Sequence, residues 1–216
     1  MAKGETYEQF VDKFKPKKTT DDCYTPSAVM DVVNDYVERR YNVSRETFVR
    51  PFWPGGDYES EDYTGKIVVD NPPFSILAKI LRFYQAHGVP FFLFCNGLTG
   101  IYHAKKPGIT FIAIGADIVY ENGAKVRTAF LTNMEPETAA RTDLELTRAL
   151  KQDKRKKTKT ELPPNWWTSS RLITAAGHGD AVTIPRDGAT FSAKRTDGKH
   201  IYGGALIYEE LDAEAH

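Results

Sequence analysis

Five consecutive residues, Asp70-Asn71-Pro72-Pro73-Phe74, carry the residue types in this sequence that are best suited to chemistry. The side-chain oxygen of Asn71 and the backbone carbonyl of Pro72 form a pair of acceptors that can bind both hydrogens of an exocyclic aromatic amine. Such an amine is a poor nucleophile because its lone pair is delocalised into the ring. The two acceptors leave that lone pair directed at a methyl sulfonium. The residues therefore suit methyl transfer to an amino group, for which no metal is needed.

The rest of the segment can hold the acceptors and the base in place. Two prolines make the backbone rigid, so ordering it costs little. Phe74 offers an aromatic face for a base rotated out of a duplex, and such stacking is worth about 1–3 kcal/mol. The alternative is an ordinary turn at a strand end, which is how an isolated Asn-Pro-Pro tripeptide would be interpreted.

The elements around this segment favour the functional interpretation. The β-branched run Ile67-Val68-Val69 predicts a buried strand over Lys66–Asp70. Ser75 is expected to cap the next helix, which ends near Gly88, and a second buried strand is predicted over 89–95. The segment thus follows a strand of a parallel unit, at the edge where open α/β sheets bind ligands.

More distant elements complete a mixed α/β sheet. Thr25 is expected to cap a helix over about Pro26–Tyr41. Strands over 109–120 and 126–132, joined by a turn, predict an antiparallel hairpin near the edge of the sheet. The pattern after them predicts a helix over 137–150.

Three segments resemble motifs of the DNA adenine-N6 methyltransferases. Asn71-Pro72-Pro73-Phe74 resembles the catalytic motif of that family. Tyr24-Thr25-Pro26 resembles the segment that opens the helix beside the cofactor, and Arg50-Pro51-Phe52 with Gly55-Gly56 resembles the cofactor loop. The order is that of the gamma-type and small phage-type members, over about Tyr24 to Met134. The resemblance implies a class I S-adenosylmethionine-dependent, Rossmann-like fold, with S-adenosylmethionine as cofactor and adenine in DNA as substrate.

The cofactor loop departs from the family pattern. Arg50 stands where an acidic residue usually precedes Pro-Phe, and Gly55-Gly56 replaces Gly-x-Gly. The stretch from Gly56 to Asn71 is too short for the usual helix, second strand and ribose-binding acid. A carboxylate for the ribose hydroxyls would then come from the loop itself, from Asp57, Glu59 or Asp62. A solvated acidic loop is the other interpretation of these three residues.

Composition limits the classes of function. Lys plus Arg and Asp plus Glu both number 29, so DNA binding would depend on local patches rather than on net charge. Cys23 and Cys95 lack metal-ligand spacing, which argues against a zinc site and a secreted disulfide scaffold. No apolar run is long enough to span a bilayer, and no signal peptide is recognisable. We expect a protein of the bacterial or phage-infected cytoplasm, with no metal and no membrane partner.

The sequence divides into four predicted segments. A flexible basic arm (1–22) precedes the methyltransferase-like domain (23–150), a basic linker (151–162) and a small C-terminal extension (163–216). The linker contains a basic cluster that suits DNA phosphates, although a solvated helix end is the commoner role of such a run. The cluster consists of Lys154, Arg155, Lys156 and Lys157.

Two alternatives to a DNA methyltransferase stay open. The shortened cofactor half also suits a catalytically inactive methyltransferase-like module that binds DNA or a partner protein. Asn-Pro-Pro-aromatic loops recur in enzymes with other substrates, so an amino-methyltransferase acting on RNA or on protein glutamine is the third hypothesis. Binding of the cofactor separates the first two hypotheses.

Overall fold

The computed structural model describes residues 24–52, 56–151, 162–196 and 198–208. The predicted arm, Gly55 and the basic cluster 154–157 lie outside these ranges. The helices and strands are, in chain order, α1 (Ser27–Tyr41), β1 (Phe48–Val49), β2 (Ile67–Asp70), α2 (Leu77–Ala86), β3 (Phe91–Asn96), β4 (Thr110–Val119), β5 (Lys125–Thr132), β6 (Thr138–Thr142), α3 (Leu144–Leu150), β7 (Trp166–Thr168), α4 (Ser169–His178), β8 (Thr183–Pro185), β9 (Thr190–Lys194) and β10 (His200–Ile207). Short 3-10 helices are described at Arg45–Thr47, Phe74–Ile76 and Gly100–Lys105.

Seven strands form the large sheet, in the order β1-β2-β3-β5-β4-β6-β8. Strands β1, β2 and β3 are parallel neighbours. Strand β5 is antiparallel to both β3 and β4, β6 is parallel to β4, and β8 is antiparallel to β6. The fold is therefore α/β with a mixed sheet, and the predicted parallel unit β2-α2-β3 is confirmed.

The predicted position of the antiparallel hairpin is wrong. Strands β4 and β5 lie in the interior of the sheet, and β1 and β8 form its edges. The physical reason is burial on both faces. Neighbouring residues such as Phe111 and Ile112 in β4, or Phe130 and Leu131 in β5, are all fully buried. Helices cover both faces of these strands, and apolar runs buried on both faces are typical of interior strands.

Helices cover both faces of the large sheet. On one face, Leu81 of α2, Ile101 of the 3-10 helix and Leu172 of α4 pack in one core. On the other face, Val33 of α1 and Leu146 of α3 pack in a second core. Alternate residues of β3 enter the two cores, so this strand carries an uninterrupted apolar run.

Helix α1 confirms the predicted helix, but its start differs from the prediction. Pro26 occupies the N-cap position, and its carbonyl accepts hydrogen bonds from the N–H groups of Val29 and Met30. The side chain of Thr25 caps nothing and is buried instead. Proline fixes its own φ near the helical value, which leaves the residue before it extended and outside the cap.

The predicted cap of α2 is also wrong. Ser75 lies inside the 3-10 turn Phe74–Ile76, which is closed by a hydrogen bond from the N–H of Ile76 to the carbonyl of Pro73. Helix α2 begins only at Leu77. The turn begins immediately after Pro73, whose ring fixes φ near −59°. The predicted stop is confirmed, because Gly88 has a φ of 64° just beyond the helix.

The predicted helix over 137–150 is half wrong. Residues Thr138–Thr142 form β6, and only Leu144–Leu150 are helical, with Asp143 accepting a hydrogen bond from the N–H of Leu146 at 2.8 Å. Strand β6 pairs with the interior strand β4. Its Arg141 is buried and bonded to the carboxylates of Glu135 and Asp143. These long-range bonds outweigh the local helical pattern.

The described residues after the basic linker pack onto the main sheet. Strand β8 completes the large sheet, and α4 packs on β4 where Gly115 and Gly177 meet. A Cβ added at Gly115 would lie 2.3 Å from the Cα of Gly177. Strands β7, β10 and β9 form a separate three-stranded antiparallel sheet. This small sheet is held next to the large one through α4, which follows β7 directly.

Candidate functional site

The Asn-Pro-Pro segment lies at the carboxyl edge of the parallel strands, as the sequence predicts. Strand β2 ends at Asp70 and β3 ends at Asn96. Pro72 and Pro73 have no N–H group, so they cannot continue the hydrogen-bond ladder to β3. The chain therefore leaves the sheet at Asn71 and enters the 3-10 turn Phe74–Ile76.

The carboxylate of Asp70 connects two segments that are distant in the sequence. Its side chain is only 3% exposed. One oxygen accepts hydrogen bonds from Nε of Arg50 at 3.1 Å and from the N–H of Asn71 at 2.9 Å. The other oxygen accepts from the N–H of Phe52 at 3.0 Å. The segment that resembles the cofactor loop is thereby fixed to the segment that resembles the catalytic motif.

Strand β1 explains why these two segments meet. Phe48 and Val49 pair in parallel with Ile67 and Val68 of β2. Both strands run in the same direction, so the residues that follow them come out at the same edge. Sequence analysis identified both segments but not the ion pair, because the pairing register of two short strands is not visible in local patterns.

The residues of the Asn-Pro-Pro-Phe segment differ in their exposure to solvent. The side-chain oxygen of Asn71 is shielded from solvent, and Pro72 is buried. Phe74 is half-buried and packs against the core that includes residues of α1. The segment is therefore anchored in the protein, and Phe74 keeps part of its surface exposed.

The segment Tyr24-Thr25-Pro26 also lies at the carboxyl edge of the large sheet, next to the turn between β4 and β5. The carbonyl of Tyr24 accepts a hydrogen bond from the N–H of Glu121 at 3.1 Å. Glu121 lies in the turn between β4 and β5, and the register of β5 against β3 places that turn beyond the carboxyl end of β3. Thr25 is 8% exposed, and its hydroxyl has no hydrogen-bond partner among the described residues.

The loop that resembles the cofactor loop is partly described. Pro51 is buried, and the ring of Phe52 packs against Tyr58 at a centroid distance of 5.6 Å. The side chain of Arg50 is 53% exposed, although its Nε is bound to Asp70. Gly56 is exposed, and Gly55 lies outside the described residues. The guanidinium of Arg50 thus faces solvent beside the catalytic-like motif.

The three acidic candidates for ribose binding have local partners. Asp57 accepts a hydrogen bond from the N–H of Glu59, and Asp62 accepts one from the N–H of Thr64. Glu59 pairs with Lys79 at 2.6 Å, and this hydrogen bond lowers the pKa of Glu59. Asp62 precedes β2 and so lies at the amino edge of the sheet. Glu59 and Asp62 therefore fit a solvated acidic loop, whereas Asp57 is nearest in sequence to the site.

A buried polar network that joins α1 to β6 and α3 was not predicted from the sequence. The hydroxyl of Tyr36 in α1 donates to Asp143 at 2.5 Å, and Arg141 donates to Tyr36, Asp143 and Glu135 at 2.6–2.9 Å. Burial raises the pKa of Tyr36, which keeps its hydroxyl protonated as a donor. The network fixes α1, and hence the segment 24–26 that precedes it, against β6 and α3.

In the part of the chain that the structure describes, no group of three or more His, Cys, Asp or Glu side chains is placed to hold a metal ion. No helix in the same ranges is long and apolar enough to cross a bilayer. The basic cluster 154–157 is outside them, so its contact with DNA stays a prediction.

Comparisons of the chain with protein-family models, with curated proteins and with solved structures find no match.

Proposed function

We propose that this protein transfers a methyl group from S-adenosylmethionine to the N6 amine of adenine in DNA, on a class I methyltransferase-like fold. The observation that carries the proposal is the set of hydrogen bonds to Asp70. They join the Arg50-Pro51-Phe52 segment to the Asn-Pro-Pro segment at one sheet edge. Ligands of open α/β sheets bind at this edge. The mixed sheet, with its parallel strands β1, β2 and β3, is compatible with that fold class.

Two side chains at this edge fit the cofactor. The buried hydroxyl of Thr25 lacks a partner among the described residues, and leaving such a group unsatisfied costs about 1–3 kcal/mol. A ligand that hydrogen-bonds to it removes that cost. Arg50 can bind the carboxylate of the methionine part through its terminal nitrogens. Because Arg50 is paired with Asp70, its charge is balanced and does not repel a cationic cofactor.

In the proposed reaction, Asn71 and Pro72 position the adenine amine. The side-chain oxygen of Asn71 and the carbonyl of Pro72 accept its two hydrogens, and Phe74 stacks on the ring. The cofactor, when bound, would supply an electrophilic methyl group, and the electrons of the broken sulfur–carbon bond would stay on the sulfur of the S-adenosylhomocysteine that is released. As the new N–C bond forms, the amine nitrogen becomes more acidic, so the hydrogen bond to Asn71 strengthens in the transition state. The excess proton on nitrogen then passes to water.

A catalytically inactive methyltransferase-like module that binds DNA or a partner protein is the second candidate function. The observation that favours it is the end of the large sheet at β1, a strand of two residues. Within the described ranges, no strand lies beyond β1 to carry a ribose-binding acid. The third candidate is the same methyl transfer to a different substrate, an amino group in RNA or in a glutamine side chain of a protein.

Calorimetry with S-adenosylhomocysteine is the first experiment. The proposal expects one site per chain, and absence of binding both with and without DNA favours the inactive module. The second experiment incubates the protein with S-adenosylmethionine and unmethylated DNA, and measures N6-methyladenine by mass spectrometry of the nucleosides. Cofactor binding together with methylated RNA or glutamine, but unmethylated DNA, would select the third candidate.

A further inference from the structure

The hairpin β9–β10 of the small sheet reaches the carboxyl edge of the large sheet. Gly203 and Gly204 both have a φ of 77°, and the pairing register shifts between His200 and Ala205. A Cβ at Gly203 would lie 2.3 Å from the carbonyl oxygen of Leu98. Leu98 follows directly after β3. Gly203 therefore lets the hairpin rest on the loop after β3, and Gly204 leaves room for the ring of Phe191. Strand β2, the neighbour of β3, ends at the Asn-Pro-Pro segment.

An open cavity of about 290 Å³ lies between this hairpin and the start of α4. Its walls include Leu98, the hydroxyl residue Ser170, and Arg195, His200 and Tyr202 of the hairpin. Tyr202 is 78% exposed, more than any other large apolar or aromatic residue in the described ranges. The exposed ring of Tyr202 offers an aromatic face, and its hydroxyl a polar group, beside the basic side chains of Arg195 and His200.

This surface carries several exposed basic side chains. Lys194, Arg195, Lys199 and His200 are all exposed, and Arg195 and His200 also line the cavity. Asp197, the acidic residue of this stretch of sequence, lies outside the described ranges. The basic surface extends to the 3-10 helix 100–105, which packs against the hairpin.

We propose that the β9–β10 hairpin and its cavity bind the sugar-phosphate backbone of DNA, with one base stacked on Tyr202. This inference rests on the proposed function, and it gives the C-terminal segment the task of holding the DNA substrate. Basic side chains neutralise phosphates and release their counterions. An exposed aromatic ring stacks on any base, independent of sequence. Cations and a stacking ring together fit a nucleic-acid strand better than an acidic peptide, which has no bases to stack.

The test compares two variants that lose the same number of positive charges. The hairpin variant carries Lys194→Gln, Arg195→Gln and Lys199→Gln. The control variant carries Arg39→Gln, Arg82→Gln and Arg148→Gln, which replace exposed residues of the three helices α1, α2 and α3. Binding of a fluorescent DNA duplex is measured by anisotropy over a range of salt. The hairpin variant should lose at least about tenfold in affinity, and its slope of log K against log salt should fall by about 2 to 3.

The stacking role has its own variant. Tyr202→Ala should weaken binding of single-stranded DNA about five- to a hundredfold and should leave the salt slope unchanged. Tyr202→Phe keeps the ring and should bind like the parent protein. Loss of binding in Tyr202→Phe equal to that in Tyr202→Ala would exclude stacking.

The outcomes separate this inference from the proposed function. Equal losses in the hairpin and control variants, or no loss in the hairpin variant, overturn the inference even when S-adenosylhomocysteine binds normally. If the parent protein binds single-stranded RNA or polyglutamate more tightly than DNA, then DNA is not the ligand of this surface. Absence of S-adenosylhomocysteine binding contradicts the proposed function but leaves the comparison of the two variants intact.

Discussion

The carboxylate of Asp70 accepts a hydrogen bond from the backbone N–H of Phe52 at 3.0 Å. It thereby connects the residues that follow two neighbouring parallel strands. Three donors surround this buried carboxylate, namely Nε of Arg50 and the N–H groups of Phe52 and Asn71. Arg50, which supplies one of these donors, remains 53% exposed, so the contributions of the two partners to stability are expected to be unequal.

We predict that Asp70→Ala costs more stability than Arg50→Ala. Asp70→Ala leaves the N–H groups of Phe52 and Asn71 without their acceptor, at a cost of about 2–4 kcal/mol. Arg50→Ala removes an exposed cation, at a cost of about 0–1 kcal/mol. Urea unfolding of the two variants measures the difference. Equal losses of stability in the two variants would mean that Asp70 stabilises the fold only through its ion pair with Arg50.

Arg50→Met is expected to weaken binding of S-adenosylhomocysteine about tenfold, because one charge-assisted hydrogen bond to the carboxylate is lost. Binding of 5′-methylthioadenosine, which lacks the amino-acid part, should not change. Calorimetry with both ligands gives the ratio of the two affinities. A parallel loss for both ligands would assign Arg50 a role in folding of the loop rather than in carboxylate binding.

Asn71→Ala is expected to lower the rate of methyl transfer about 10²- to 10³-fold, because the acceptor acts mainly in the transition state. Affinity for S-adenosylhomocysteine and the melting temperature should stay near those of the parent. Asn71→Asp keeps the shape and an acceptor, and should retain more activity than Asn71→Ala. Single-turnover kinetics measures the rates. Parental turnover in Asn71→Ala, or simple unfolding, would contradict the catalytic assignment.

Gly115→Ala is expected to destabilise the protein by about 1–3 kcal/mol. Its added Cβ would lie 2.3 Å from both the Cα and the N of Gly177, so β4 and α4 would have to separate. Gly177→Ala is the matched control, because its Cβ would meet the Cα of Gly115 at an ordinary 3.7 Å. Urea unfolding should show a large loss for the first variant and a small one for the second.

His103 gives a prediction for pH. Burial lowers its pKa to about 4, and its Nδ1 is buried with no hydrogen-bond partner among the described residues. The unfolded chain takes up a proton near pH 6.5 and the folded chain only near pH 4. Lowering the pH through this window therefore favours the unfolded state, by about 1–3 kcal/mol. Above pH 6.5 this effect is absent.

The variant His103→Asn removes this titration. Its free energy of unfolding should fall less between pH 7 and pH 4.5 than that of the parent protein, as measured by urea unfolding at both values. Identical pH profiles would show that His103 is protonated equally in the folded and unfolded states.

Local patterns in the sequence predicted the elements that form the site. The helical spacing of Val29, Val33 and Val37 indicated α1, and the run Ile67-Val68-Val69 indicated β2. Both signals are local, because burial on one helix face or within one strand repeats along the chain. The two prolines also indicated where the chain leaves the sheet.

Long-range contacts could not be predicted in the same way. The ion pair of Arg50 with Asp70 depends on the register of β1 against β2. The strand Thr138–Thr142 depends on pairing with β4, and Arg141 within it depends on buried partners from other elements. The position of the β4–β5 hairpin depends on the order of all seven strands. Each of these outcomes is fixed by packing between distant segments, which periodicity in one segment does not record.

The short strands at the two edges of the large sheet affect how copies of the protein behave together. Strand β1 has two residues, and β8 has three and ends at Pro185. Each strand presents few N–H and C=O groups along which another chain could pair, and the proline lacks an N–H donor. The long strands β3, β4 and β5, which are the most apolar, are enclosed on both sides. Aggregation by edge-to-edge extension of the sheet is therefore disfavoured as long as the protein stays folded.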